Sequence, residues 1–197
     1  MKMFRTAAVT AVVVGLTAGS FSAATAAPAP KFLTAKQLPA APTPWTAGPV
    51  QAGTAKEDFC NAKVAPKASS KHRVFRTEAD TGAHQTITVL PTEAKAKALV
   101  TKLRTSVAGC LARIQRQYPD LEGTTRHHGR IDIEEGAHVY SIDTHDPEVG
   151  STDISLFSIG RDGRTVTVVG WGQMGDLVHA PLKGFQKTTR TAVAKLY

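Results

Sequence analysis

The sequence predicts an α+β domain: an antiparallel sheet of about five to six strands with two main helices packed on one face. Runs in which apolar and polar residues alternate recur through the second half of the chain, the period of a strand. One long stretch ahead of them repeats apolar residues at spacings of three and four, the period of a helix, and a second such stretch closes the chain. The resulting order, two strands, a helix, four strands and a helix, has short links between strands, and so builds an antiparallel meander rather than a parallel sheet.

The chain opens with Lys2 and Arg5, an apolar run over residues 7–16, and the small residues Ala24, Thr25 and Ala26 that a signal peptidase needs. Residues 1–26 therefore read as a Sec-type signal peptide, cut after Ala26, because a cut one residue later would fall directly before Pro28. With no cysteine at that point a lipid anchor is not expected, and no other apolar stretch reaches the roughly 18 residues that span a bilayer. A secreted, extracellular protein without stable membrane insertion is predicted. The formal charge of +8 falls to +6 once Lys2 and Arg5 leave, since residues 1–26 hold no acid. The charges are scattered along the chain, which fits a solubilising surface and gives no reason to expect nucleic acid as a partner.

Residues 27–54 form a leader rich in Pro and Ala, a composition that disfavours regular structure. Within it Phe32 and Leu33, a capping Thr34 and Leu38 before Pro39 predict one short helical turn that docks, with Trp45, on the core. Residues 55–197 are read as a single domain. Its first strands are expected at 73–77 and 85–90, the second from the alternation of Ile87 and Val89 with Thr86 and Thr88. Pro91 ends that run and Thr92 caps a helix over about 93–117, whose apolar face carries Leu99, Leu103, Val107, Cys110, Leu111, Ile114 and Tyr118. Lys95, Lys102, Arg113 and Arg116 lie on its other side, as a wet surface or as a basic ridge that binds anionic polymer at the cell surface.

Four strands follow, at 130–134, 137–144, 153–159 and 165–171, with Gly136 in the first turn and Asp162-Gly163 as the hairpin signal of the last pair. Pro181 opens the final helix, with Leu182, Phe185, Ala192, Val193 and Leu196 on one face. Alternation leaves two readings of the sheet face away from the helices, solvated or concave around a ligand. Thr86, Thr88, Ser155, Thr165 and Thr167 favour the solvated one. Cys60 and Cys110 are the only cysteines, and an even pair in an exported chain predicts a disulfide. It would close a loop of 50 positions, for which chain entropy gives an upper figure of about 4 kcal/mol.

Four pieces of the sequence resemble the extracellular sensor domain of PknH-type actinobacterial serine/threonine kinases and its free-standing secreted relatives. They are the Phe32-Leu33-Thr34 turn running to Leu38-Pro39, Cys60 ahead of the first strand, the run from Gln85 through Leu90-Pro91-Thr92 to Ala94, and the helix reaching Ala108-Gly109-Cys110. The likeness extends more loosely to residue 196. It implies an antiparallel sheet with helices on one side, a cleft for a small or cell-wall-derived ligand, and no catalytic residues. The chain departs from the kinase pattern in having no kinase domain and one cysteine pair instead of two.

For such a cleft the candidate lining is Trp171, Gln173, Met174 and Tyr140, with Trp171 either a wall or a core residue. No GxSxG or phosphate-loop pattern is present, so the reading is a non-catalytic binding domain with no cofactor. The competing reading is a metal-dependent hydrolase using His127, His138, Asp143 or His145. Asp143 and His145 are its best pair, because alternate strand residues share a face, and Asp146 and Glu148 follow in the next loop.

Overall fold

A computed structural model describes residues 28–197; the predicted signal peptide and its predicted cleavage site lie outside the described residues. The strands are β1 (Thr46–Ala47), β2 (Gln51–Ala52), β3 (Ser70–Arg76), β4 (Gly82–Val89), β5 (Glu122–Ile131), β6 (Ala137–Asp146), β7 (Ser151–Asp162) and β8 (Thr165–Met174). The helices are α1 (Glu93–Ala108), α2 (Cys110–Gln115) and α3 (Leu182–Ala194). All strands join one antiparallel sheet in the order β1-β3-β4-β8-β7-β6-β5, with β2 also on β3.

This is the expected α+β class with more strands than the five to six predicted. The leader contributes β1 and β2, two residues each, beside its 3-10 turn Ala35–Gln37. The strand expected at 130–134 is β5, which begins earlier and ends at Ile131. It forms one end of the sheet with most of its side chains exposed, so it carries no apolar alternation to read. The hairpin between β7 and β8 turns one residue later than Asp162-Gly163: Asp162 pairs with Thr165, leaving Gly163 and Arg164 as the loop. Gly163 has φ +51°, which suits glycine at the first position of a two-residue turn.

The helices pack on opposite faces of the sheet rather than on one. Buried residues of α1 (Ala96, Leu99, Leu103 and Val107) join Tyr140, Ile142, Phe157, Ile159, Val166 and Val168. Phe185, Ala192 and Val193 of α3 join Val139, Ile154, Leu156, Val169 and Trp171. Neighbouring residues such as Leu156 and Phe157, or Val168 and Val169, thus serve different cores, as the two-residue period of a strand requires. Where the helices cover the sheet the threonine rows are not solvated: Thr86, Thr88, Thr165 and Thr167 are buried, while Ser155 is half-buried. Their hydroxyls find partners inside: Thr88 with Ser70, Thr167 with Gln85, Thr165 with Tyr197, and Thr86 with the Ala55 N–H.

On the α3 face the leader docks as expected. Leu33 is fully buried and its N–H donates to Gln85 Oε1 at 2.7 Å, while the Trp45 indole donates to the Pro39 carbonyl. On the other face α1 starts at Thr92, whose hydroxyl accepts from the Lys95 N–H. Gly109 separates α1 from α2 where one continuous helix was predicted. The Cys60–Cys110 disulfide is formed, with Cα atoms 5.4 Å apart, and points to an extracellular or secreted protein. Among the described residues no helix is long and apolar enough to cross a membrane. Lys95, Lys102 and Arg116 are exposed, whereas Arg113 turns inward and donates to the carbonyls of Cys60 and Ser106. Tyr118, expected on the apolar face, is exposed past the end of α2.

Candidate functional site

Helix α1 covers only part of its sheet face, and the remainder forms the floor of a groove. Gly82 of β4 pairs with Gly172 of β8, which pairs with Ser155 of β7. Two facing glycines leave this strip of sheet without side chains, and a Cβ on Gly82 would meet nothing within 4 Å. The wall is the segment between β2 and β3, tied to α2 by the disulfide. Phe59, next to Cys60, stands 53% exposed with its ring edge-on to Phe157 at 5.4 Å between centroids. An exposed phenylalanine held against the floor is unusual surface for a polar loop.

Phe59 divides the groove into two lobes. The near lobe, about 260 Å³, lies over Gly82, His84, Gly172 and Ser155, with Glu57, Arg76, Asp80 and Asp153 among its lining residues. The far lobe, about 390 Å³, passes Phe59 to reach Ile114, Tyr118, Leu121, Ile142 and Thr144. Phe59, Asp153 and Ser155 line both lobes, so the two form one groove across β3, β4, β8, β7 and β6.

A buried polar cluster backs the near lobe. His84 Nε2 lies 3.7 Å from Asp58 Oδ2, and both side chains are at least nine-tenths buried. That distance exceeds hydrogen-bond reach, and His84 Nε2 has no hydrogen-bond partner among the described residues. Asn61 Nδ2 and Oδ1, beside Asp58, are likewise without partners there, although the Asn61 N–H donates to Asp58 Oδ1. The His84 ring lies over Gly170, where any Cβ would overlap it. Buried polar atoms are nearly always paired, so these unpaired atoms stand out behind the cavity.

At the rim Glu57 pairs with Arg76 at 2.8 Å. Asp80 Oδ2 accepts the Met174 N–H at 2.9 Å, and Met174 is the ladder partner of Asp153. Desolvation, and then the nearby Asp80 charge, raise the Asp153 carboxyl above its ordinary value.

Of the residues singled out from sequence, Trp171 and Gln173 contribute to the near lobe. Trp171 belongs chiefly to the core beneath α3, with its indole N–H unpartnered among the described residues. Met174 is exposed beside the groove and outside its lining. Tyr140 lies beneath α1, with Arg104 Nε donating to its hydroxyl at 3.1 Å and the His127 ring stacked on it at 4.6 Å. Phe59, His84, Asp58, Asp80 and Asp153 were not singled out. The Gly82–Gly172 strip that opens the floor is a cross-strand pair, and so invisible before β4 and β8 are aligned.

The hydrolase candidates do not converge. His127 and His138 stand together on the α1 face, with Nε2 and Nδ1 3.2 Å apart, while Asp143 and His145 lie on the opposite face of β6. Asp143 Oδ2 accepts the Leu177 N–H, His145 is exposed, and Asp146 Oδ1 accepts the Glu148 N–H. No three His, Cys, Asp or Glu side chains among the described residues group as metal ligands. His128 Nε2 and Ser141 Oγ are 2.8 Å apart, but Ser141 is fully buried and out of reach of a substrate. Burial first, then Arg104, His127 and Arg130, push His138 down to about 4.

The class these features define is a disulfide-bonded α+β domain with an open groove on one sheet face. No protein-family model and no curated protein matches the chain. Among solved structures the chain is similar to the extracellular domain of PknH from Mycobacterium tuberculosis, with a TM-score of 0.46 and 11% identity over 75% of this chain and 84% of that one. That likeness concerns the path of the chain and carries no argument about a ligand.

Proposed function

We propose that the protein is a secreted, non-catalytic binding domain that holds a small or cell-wall-derived molecule in the groove divided by Phe59. The observation that carries this reading is the open groove floored by the Gly82–Gly172 strip and divided by the exposed Phe59 ring, with the buried His84 among its lining residues. Fixed polar atoms deep in a cleft, with an apolar surface above them, are the usual makeup of a small-molecule site.

The test is the thermal midpoint of the oxidised mature protein against lipids, glycans and wall fragments. A ligand at a hundred times its Kd raises the midpoint by roughly 5 to 10 °C for a chain of this size. The rise should vanish in Phe59→Ala, and the ligand should be recovered with unchanged mass. Absence of a shift across the panel, or a ligand returned cleaved, would count against the proposal.

A further inference from the structure

The two lobes differ in chemistry, and if the groove is a binding site, as proposed above, that difference selects a class of ligand. In the near lobe Glu57 is matched by Arg76, which leaves Asp80 and Asp153 with no cationic side chain within ion-pair distance among the described residues. They are held beside one another by the β7–β8 ladder, through the Met174 N–H that Asp80 accepts. Two like charges set together in a chain of formal charge +8 repel each other, and the repulsion is relieved when a cation sits between them. His84, nine-tenths buried and with Nε2 unpartnered among the described residues, lines the same lobe. The far lobe adds apolar surface, Ile114, Tyr118, Leu121 and Ile142, reached by passing Phe59, alongside Thr144 and Asp146.

We infer that the groove takes an amphiphilic amine, with an organic ammonium seated between Asp80 and Asp153 and an apolar chain running past Phe59 against Ile114, Tyr118 and Leu121. The seat at the β7–β8 pair lies one strand spacing, about 4.8 Å, from β6, so the chain crosses from there toward Ile114, Tyr118 and Leu121. A free hydrophobic amine and a lipid with an amine head group share this chemistry.

The experiment is calorimetric titration of the oxidised mature protein with n-octylammonium, n-octanol and n-octanoate. The ammonium should bind at least about tenfold tighter than the alcohol, as one charge-assisted contact implies, and the carboxylate weakest of the three. Asp153→Asn, and separately Asp80→Asn, should remove the preference for the ammonium without altering circular dichroism, while Phe59→Ala should weaken all three probes. Flotation with neutral vesicles, with and without an amine-headed lipid, assigns the source: association only with the amine-headed vesicles points to a lipid, its absence to a free amine. Equal binding of ammonium and alcohol would overturn the cationic assignment. Failure of all three probes would overturn the ligand class, and a wall fragment that still raises the thermal midpoint of the same protein would show the groove reading surviving alone.

Discussion

His138 shows how one side chain sets a pH response. Its ring is pushed down to about 4 by burial and by Arg104, His127 and Arg130, against an ordinary value near 6.5. Between those values the unfolded chain binds a proton at this position that the folded chain refuses, so acidification favours unfolding across that window. His128 is depressed in the same direction. Asp153 and Asp162, raised by burial, act oppositely above their ordinary value of 3.8, where the native state holds their protons longer. Urea midpoints measured from pH 7 to pH 4 should therefore fall, and His138→Gln should flatten the fall. An unchanged slope in the variant would assign the acid sensitivity elsewhere.

At the scale of elements, the wall of the groove depends on a covalent tie. The segment carrying Glu57, Asp58 and Phe59 is fastened at Cys60 to the start of α2, and Ser106 Oγ near the end of α1 donates to the Cys60 carbonyl at 2.6 Å. Replacing both cysteines by alanine should lower unfolding free energy by about 2–4 kcal/mol in denaturant titrations. A loss under about 0.5 kcal/mol would show that packing alone holds the wall. Much of this was legible beforehand: the bridge, the capped helix from Thr92 and the strands after Gly136 all declare themselves through local pattern. The two-sided burial was not, because threonine alternating with valine suggests a wet face, whereas Thr88 and Thr167 spend their hydroxyls on buried partners. The adjacent pairs Leu156-Phe157 and Val168-Val169 were the available signal, since neighbours on a strand face opposite ways. The groove was harder still. Phe59, His84 and Asp153 come together only through pairing across three strands, which no local pattern encodes.

For the whole molecule, the consequence of sharing one sheet between two helical layers is mechanical unity. β7 and β8 present Ile154, Leu156 and Val169 to α3 and Phe157, Ile159 and Val168 to α1, so neither core can open without stripping strands from the other. Leu103→Ala and Phe185→Ala, on opposite faces, should each lower the same single transition, by about 2–5 and about 3–5 kcal/mol. Fluorescence and circular dichroism should follow it together, and two separated transitions would show the layers to be independent. Among the described residues the sheet also has an end that no other strand covers. β5 runs ten residues along that end, broken by a register shift between His127 and Arg130 where Gly129 takes φ +91°, and it carries Arg126 and Arg130. An edge that is kinked and studded with positive charge is a poor template for a ninth strand from a second copy. A protein released into a crowded exterior can thus leave a long strand bare without seeding fibres of itself.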